Sequence, residues 1–188
     1  ANPGIWRDWP QNYVTSTGHG ERTVNVNYAI AQSLNTVAVQ VGQLVGVESM
    51  YNFAKDTVGM SHLNENDMDL APLVLGSQNG GATPIELAAA YQMFGNGGEY
   101  VTPHLYTRVD NEVNVVHTQA IKESTAMIMN RLLQGVLGSS GTASGMKPSG
   151  EMEAAAKTGT TSDNKDYTFV GMTPYYVTSM WWGYDKPY

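Results

Sequence analysis

Three β-patterned segments lie near the C-terminal end of the chain, at residues 154–161, 167–172 and 176–184. Only a few residues separate them, at 162–165 and at Thr173-Pro174. A parallel pair needs a crossover of a dozen or more residues, so joints this short force the segments to be antiparallel neighbours. The last third of the chain is therefore expected to be a β-meander. The patterns ahead of it are largely helical, which gives an α/β fold of the α+β type: an antiparallel β-sheet backed by helices.

Those helical patterns can be placed in order. Asn27 is expected to cap a short helix through Ser33, and Val37, Ala38, Val41, Leu44 and Val45 follow helical spacing up to a stop at Gly46. Val37, Val39 and Val41 also alternate as a strand would, so both readings stand. Residues 64–69 form a polar turn and 76–81 a glycine-rich corner. Thr83-Pro84 then opens a helix over 85–94, with proline suited to the first helical position. Asn96-Gly97-Gly98 ends that helix, and residues 99–116 read as strands around a turn at Asp110-Asn111. Helix returns over 121–136, followed by a Gly- and Ser-rich stretch at 138–150 expected to be flexible. The first two dozen residues read as a loop held by Trp6 and Trp9. No internal repeat is present.

Composition narrows the function classes. With 41% apolar and 14% charged residues over 188 positions, the chain has the apolar surface a core needs and no charge density of the disordered kind. A net charge of −7 with scattered Lys and Arg gives no footprint for nucleic acid or anionic lipid. The absence of cysteine removes disulfides, thiolate metal sites and a cysteine nucleophile. No apolar run approaches the roughly 20 residues of a membrane-spanning helix. His19, His62, His104 and His117 lack ligand spacing, and Glu65, Asp67 and Asp69 alternate like a calcium loop but meet Leu70 where that loop needs glycine. No metal and no cofactor are expected.

The segment with the clearest chemistry is Lys157-Thr158-Gly159-Thr160, on the first strand of the meander. Alternation puts Thr158 and Thr160 on one face and Lys157 on the other, so two hydroxyls can grip one anion. Gly159 leaves backbone uncovered for a ligand to pair with, and the Thr160 N–H is placed to donate to a developing oxyanion. An edge strand with a solvated lysine would carry the same letters. S-x-N occurs three times: at Ser33-Leu34-Asn35, Ser77-Gln78-Asn79 and Ser162-Asp163-Asn164. The last two fall in turns, where Asn and Asp are good turn formers.

The first sits in a richer context. Ala29-Ile30-Ala31-Gln32-Ser33-Leu34-Asn35, with Val37-Ala38 and Val45-Gly46 after it and Pro10-x-Asn12-Tyr13 before it, resembles the S-x-N region of penicillin-binding proteins. Gly80-x-Ala82-Thr83-Pro84-Ile85-Glu86-Leu87-Ala88 and Phe94-x-Asn96-Gly97-Gly98 are similar to that family's helix between motifs. Lys157-Thr158-Gly159-Thr160-Thr161, Lys165-Asp166, Phe169-Val170-Gly171, Thr173-Pro174 and Trp182-Gly183-Tyr184-Asp185 resemble the closing run of a class A bifunctional member. S-x-N and K-T-G stand in the family's order.

The resemblance implies a transpeptidase of the penicillin-binding and serine β-lactamase-like fold. It attacks the D-alanyl-D-alanine end of a peptidoglycan stem peptide through a serine acyl-enzyme, and β-lactam antibiotics trap it. By the same resemblance Ser33, Asn35 and Lys157 form the catalytic relay, and Thr158, Gly159 and Thr160 bind the substrate. Asn35 alone could equally be a helix N-cap.

The family's S-x-x-K, which supplies nucleophile and base, lacks a convincing match. Ser144-Gly145-Met146-Lys147 and Ser162-Asp163-Asn164-Lys165 fit the letters, but both follow S-x-N and neither opens a helix. The chain is thus expected to be residues 1–188 of the C-terminal part of one transpeptidase domain, whose N-terminal segment carries the nucleophile. The opening Ala1-Asn2-Pro3-Gly4-Ile5-Trp6, which reads as mid-domain loop, agrees. An extracytoplasmic location with an anchor outside this chain follows from the family. A non-catalytic penicillin-sensing or scaffolding domain and a serine β-lactamase remain as alternatives.

Overall fold

The computed structural model describes residues 9–13, 23–161 and 164–184. The meander forms as expected: β5 (Ala155–Thr160), β6 (Asp166–Met172) and β7 (Val177–Gly183) make one antiparallel sheet in the order β5-β6-β7. Ala155 pairs with Met172 and Met172 with Val177, while Thr160 pairs with Tyr167 and Tyr167 with Trp182. Strand alternation therefore puts Ala155, Lys157, Met172 and Val177 on one face and Ala156, Thr158, Tyr167 and Trp182 on the other.

Six α-helices precede the sheet among the described residues. They are α1 (Val26–Ala31), α2 (Asn35–Val45), α3 (Val47–Asn52), α4 (Leu70–Leu75), α5 (Pro84–Gln92) and α6 (Glu123–Gln134). Helices α5 and α6 pack on it, with Ile30 of α1 between them, while α2, α3 and α4 pack on one another. Leu133, Ala155 and Met172 form a core against the first sheet face, with Ile30, Tyr91, Phe94, Met129 and Val177 packed around it. This cluster unites α1, α5, α6 and all three strands. On the second face Ala156 is sealed by Val136, Leu137 and Ala143, from the 3₁₀ turn Gly135–Leu137 and the loop after it. Farther along that face Tyr167, Met180 and Trp182 are 37%, 57% and 61% exposed.

The strand pattern over 99–116 resolves into two small ribbons. β1 (Glu99–Val101) pairs with β4 (His117–Gln119), and β2 (Arg108–Val109) pairs with β3 (Glu112–Val113) around the expected turn, where Asp110 has φ 50°.

Several local expectations change. Helix α1 is capped by Asn25, whose side chain accepts from the Tyr28 N–H at 2.8 Å, and not by Asn27; it ends at Ala31, before Ser33. The helical reading of residues 37–45 wins over the strand. Helix α4, whose apolar run has no polar side to give a period, was not expected at all. The stretch after residue 138 is ordered where flexibility was expected, with Ala143 fully buried. Trp9 is 57% exposed and anchors nothing by burial, whereas Pro10 and Asn12 beside it are buried. Trp6 lies outside the described residues.

Candidate active site

Ser33 owes its position to the way α1 stops. The Ser33 N–H donates to the Ile30 carbonyl at 3.1 Å and the Leu34 N–H to the Ala29 carbonyl at 2.9 Å. These two bonds make a Schellman ending, a motif that wants glycine at the residue occupied here by Ser33. Ser33 nonetheless adopts φ 53°, a conformation that costs a side-chain-bearing residue about 1 kcal/mol. The buried Leu34 completes the motif and hands the chain to α2. A serine held where glycine would be easier points to a use for its hydroxyl.

That hydroxyl meets Lys157. The Lys157 Nζ donates to Ser33 Oγ at 2.7 Å and to the Thr158 carbonyl at 2.8 Å, across 124 residues in the first case. Strand β5 carries Lys157 on the helix-covered face, next to the end of α1, as its pairing dictates. Both partners are uncharged, and burial pulls the Lys157 ammonium from its ordinary 10.5 down to about 8.

Asn35 is the first residue of α2, and Leu34 occupies the cap position, so Asn35 is not an N-cap. Its Nδ2 donates instead to the Gln11 carbonyl at 2.8 Å. Next to it, the buried Asn12 accepts from the Thr36 N–H at 3.1 Å, which fixes the Pro10-x-Asn12 stretch to the start of α2. Thr158 Oγ1 lies 2.7 Å from Thr142 Oγ1, a contact no sequence pattern announced. Gly159 and Thr160 are exposed at the end of β5, which is the outer strand of its sheet among the described residues.

Two of the other motif matches, at Ser77-Gln78-Asn79 and at Ser144, can be placed in the structure. Asn79 serves structure: its N–H and Nδ2 donate to Asp67 Oδ1 at 2.8 and 3.0 Å, while Asn64 covers the other carboxylate oxygen. These bonds hold the Asp67 carboxyl below the usual carboxylate range even though burial pushes it up, and they close the 64–81 segment. Ser144 sits in a tight turn, its N–H on the Gly141 carbonyl, and opens no helix. Ser162 and Asp163 lie outside the described residues. No cluster of three or more His, Cys, Asp or Glu able to hold a metal occurs among the described residues. Two concavities, about 440 Å³ against α6 and about 520 Å³ beside His104 and His117, include none of Ser33, Asn35 or Lys157.

Comparison with known proteins identifies the family. The family model described as penicillin binding protein transpeptidase domain matches residues 1–183. Penicillin-binding protein 1A of Clostridium acetobutylicum is 35% identical over 95% of this chain, and that of Neisseria cinerea 31% identical over all of it. The chain spans only 22% and 24% of those two relatives. Among solved structures, penicillin-binding protein 1A from Haemophilus influenzae superposes with a TM-score of 0.74 at 19% identity, covering 98% of this chain and 33% of that one. Penicillin-binding protein A from M. tuberculosis, solved as an imipenem acyl-enzyme complex, gives 0.73 at 19% identity, covering 92% and 45%. The fold is theirs, and the chain belongs to the penicillin-binding protein transpeptidase domain family.

Proposed function

We propose that this chain is the C-terminal part of a peptidoglycan D,D-transpeptidase domain whose nucleophilic serine and S-x-x-K lysine come from a segment outside residues 1–188. The observation that carries this reading is the 2.7 Å bond between Lys157 Nζ and Ser33 Oγ, which joins the S-x-N turn to the K-T-G edge strand.

In the proposed reaction the nucleophile's oxygen adds to the carbonyl of the penultimate D-alanine, and the bond to the terminal D-alanine nitrogen breaks. Ser33 Oγ relays the serine proton to that leaving nitrogen, with the Lys157 ammonium setting the direction of the relay. An amine of a neighbouring strand then attacks the ester, forms the cross-link and frees the serine. Asn35 holds the S-x-x-K lysine and the substrate's side-chain amide. Thr158 and Thr160 take the terminal carboxylate under the positive potential of Lys157, through charge-assisted bonds of about 1.5–3 kcal/mol each. Gly159 keeps β5 open for the peptide to pair along it, and the Thr160 N–H faces the oxyanion.

Each step is carried by side chains and backbone, so no cofactor is assigned. A β-lactam mimics the D-alanyl-D-alanine end and stops the sequence at the acyl-enzyme. The N-terminal segment is the natural cover for Tyr167, Met180 and Trp182, since contiguous exposed apolar area of this kind marks an interaction surface. The proposed setting is extracytoplasmic, with the anchor outside this chain. The test is mass spectrometry of the full-length protein after penicillin treatment. One label is expected on a serine outside residues 1–188, and a stoichiometric adduct on any serine within them would overturn the assignment.

A further inference from the structure

The segment 138–143 clasps both halves of the site. The Thr142 N–H donates to the Ala31 carbonyl at 3.0 Å, and Gln32 Nε2 donates to the Ser140 carbonyl, so the loop is tied to the residues just before Ser33. Ala143, fully buried, donates its N–H to the Val136 carbonyl at 3.0 Å. Between these ties Gly141 passes so close to Val136 that an added Cβ would collide with its carbonyl. A loop wedged in this way has little freedom, and it delivers the Thr142 hydroxyl to within 2.7 Å of the Thr158 hydroxyl.

A hydroxyl carries one proton. Were Thr158 to spend its proton on Thr142, it would turn only lone pairs toward an approaching anion. The order that lets Thr158 donate outward is Thr142 to Thr158 to anion, and successive bonds in such a chain polarise one another. The Thr158 carbonyl is held by Lys157 Nζ at 2.8 Å, so the backbone beneath the hydroxyl is fixed as well.

We propose that Thr142 is a positioning residue for Thr158, donating to its hydroxyl and so fixing that hydroxyl as a donor to the carboxylate of the substrate or of a penicillin. The inference rests on the function proposed above. It adds a residue that the S-x-N and K-T-G motifs do not contain.

The test is a double-mutant cycle in the full-length protein, reading the acylation rate by benzylpenicillin and by its methyl ester. Thr142→Val should slow acylation by benzylpenicillin roughly 10-fold, the scale of one lost hydrogen bond. Thr142→Ser should restore it. The same change should cost nothing further in a Thr158→Val background, and nothing with the ester, which has no anion to bind. Equal losses in both backgrounds, equal losses with acid and ester, or no loss at all would each overturn the inference while leaving the function intact. A parent protein that no penicillin acylates would overturn the function and the inference with it. Should Thr142→Val fail to fold, Thr142→Ala run through the same cycle decides between the same outcomes.

Discussion

Replacing Lys157 by methionine should reveal the cost of keeping a charge beside Ser33. Burial lowers the Lys157 ammonium from 10.5 to about 8 in the folded chain. At 1.36 kcal/mol per pH unit, that difference is worth about 3 kcal/mol. The folded form releases this proton at lower pH than the unfolded form, so unfolding takes up a proton between about pH 8 and pH 10.5, and stability rises with pH across that window. Below pH 8 the buried ammonium imposes its full cost. Methionine keeps most of the stem's packing and does not titrate. The variant's stability relative to the parent should therefore fall by about 2–3 kcal/mol between pH 7 and pH 10, because only the parent gains. Urea unfolding of both proteins at pH 7, 8.5 and 10 measures it, and shared contributions such as that of Tyr91, whose burial raises it to about 12, cancel in the difference. Two stability curves that stay parallel within about 0.5 kcal/mol would refute the claim that Lys157 is desolvated.

Two further outcomes are expected. Ser33→Ala and Ser33→Gly should both cripple penicillin acylation of the full-length protein while Ser77→Ala leaves it near the parent rate. The glycine form should unfold about 1 kcal/mol later than the alanine form, because only alanine carries the left-handed strain; equal stabilities would show an unstrained turn. Gly141→Ala should destabilise the protein by about 1–3 kcal/mol, since its methyl meets the Val136 carbonyl and backbone cannot step aside; a thermal melt unchanged from the parent would refute the wedge.

The meander was legible because period-two alternation and short joints are local signals. Helix α5 was legible from Thr83-Pro84 at its start, while the structure adds a capping box with Glu86 that was not read from the sequence, Ser61 and Thr83 holding the Glu86 carboxyl at about 2 against the upward push of burial. The motif letters likewise led to Ser33 and Lys157, whose contact is present. What stayed hidden depends on distant partners. Asp67 looked like one acid among several in a polar turn, yet it is fully buried and joins Asn64 to Asn79. Thr142 lay in a stretch whose glycines and serines suggested freedom, and only the tertiary bonds to Ala31 and Val136 remove it. Helix α4 is six residues long and apolar throughout, so no period could mark it.

The sequence separation of 124 between Ser33 and Lys157 also sets a clock. At roughly 5–20 residues per second of synthesis, Lys157 is joined to the growing chain some 6–25 s after Ser33. During that interval the end of α1 is an ordinary helix terminus with a strained serine and no cation beside it. Helices α1 to α6 are all made before β5, so the polar contact closes only once that strand has been added. A protein truncated before Ala155 would lose Ala155, Ala156, Met172 and Val177 from the two cores on which α1, α5 and α6 pack, and Ser33 would lose the cation beside it.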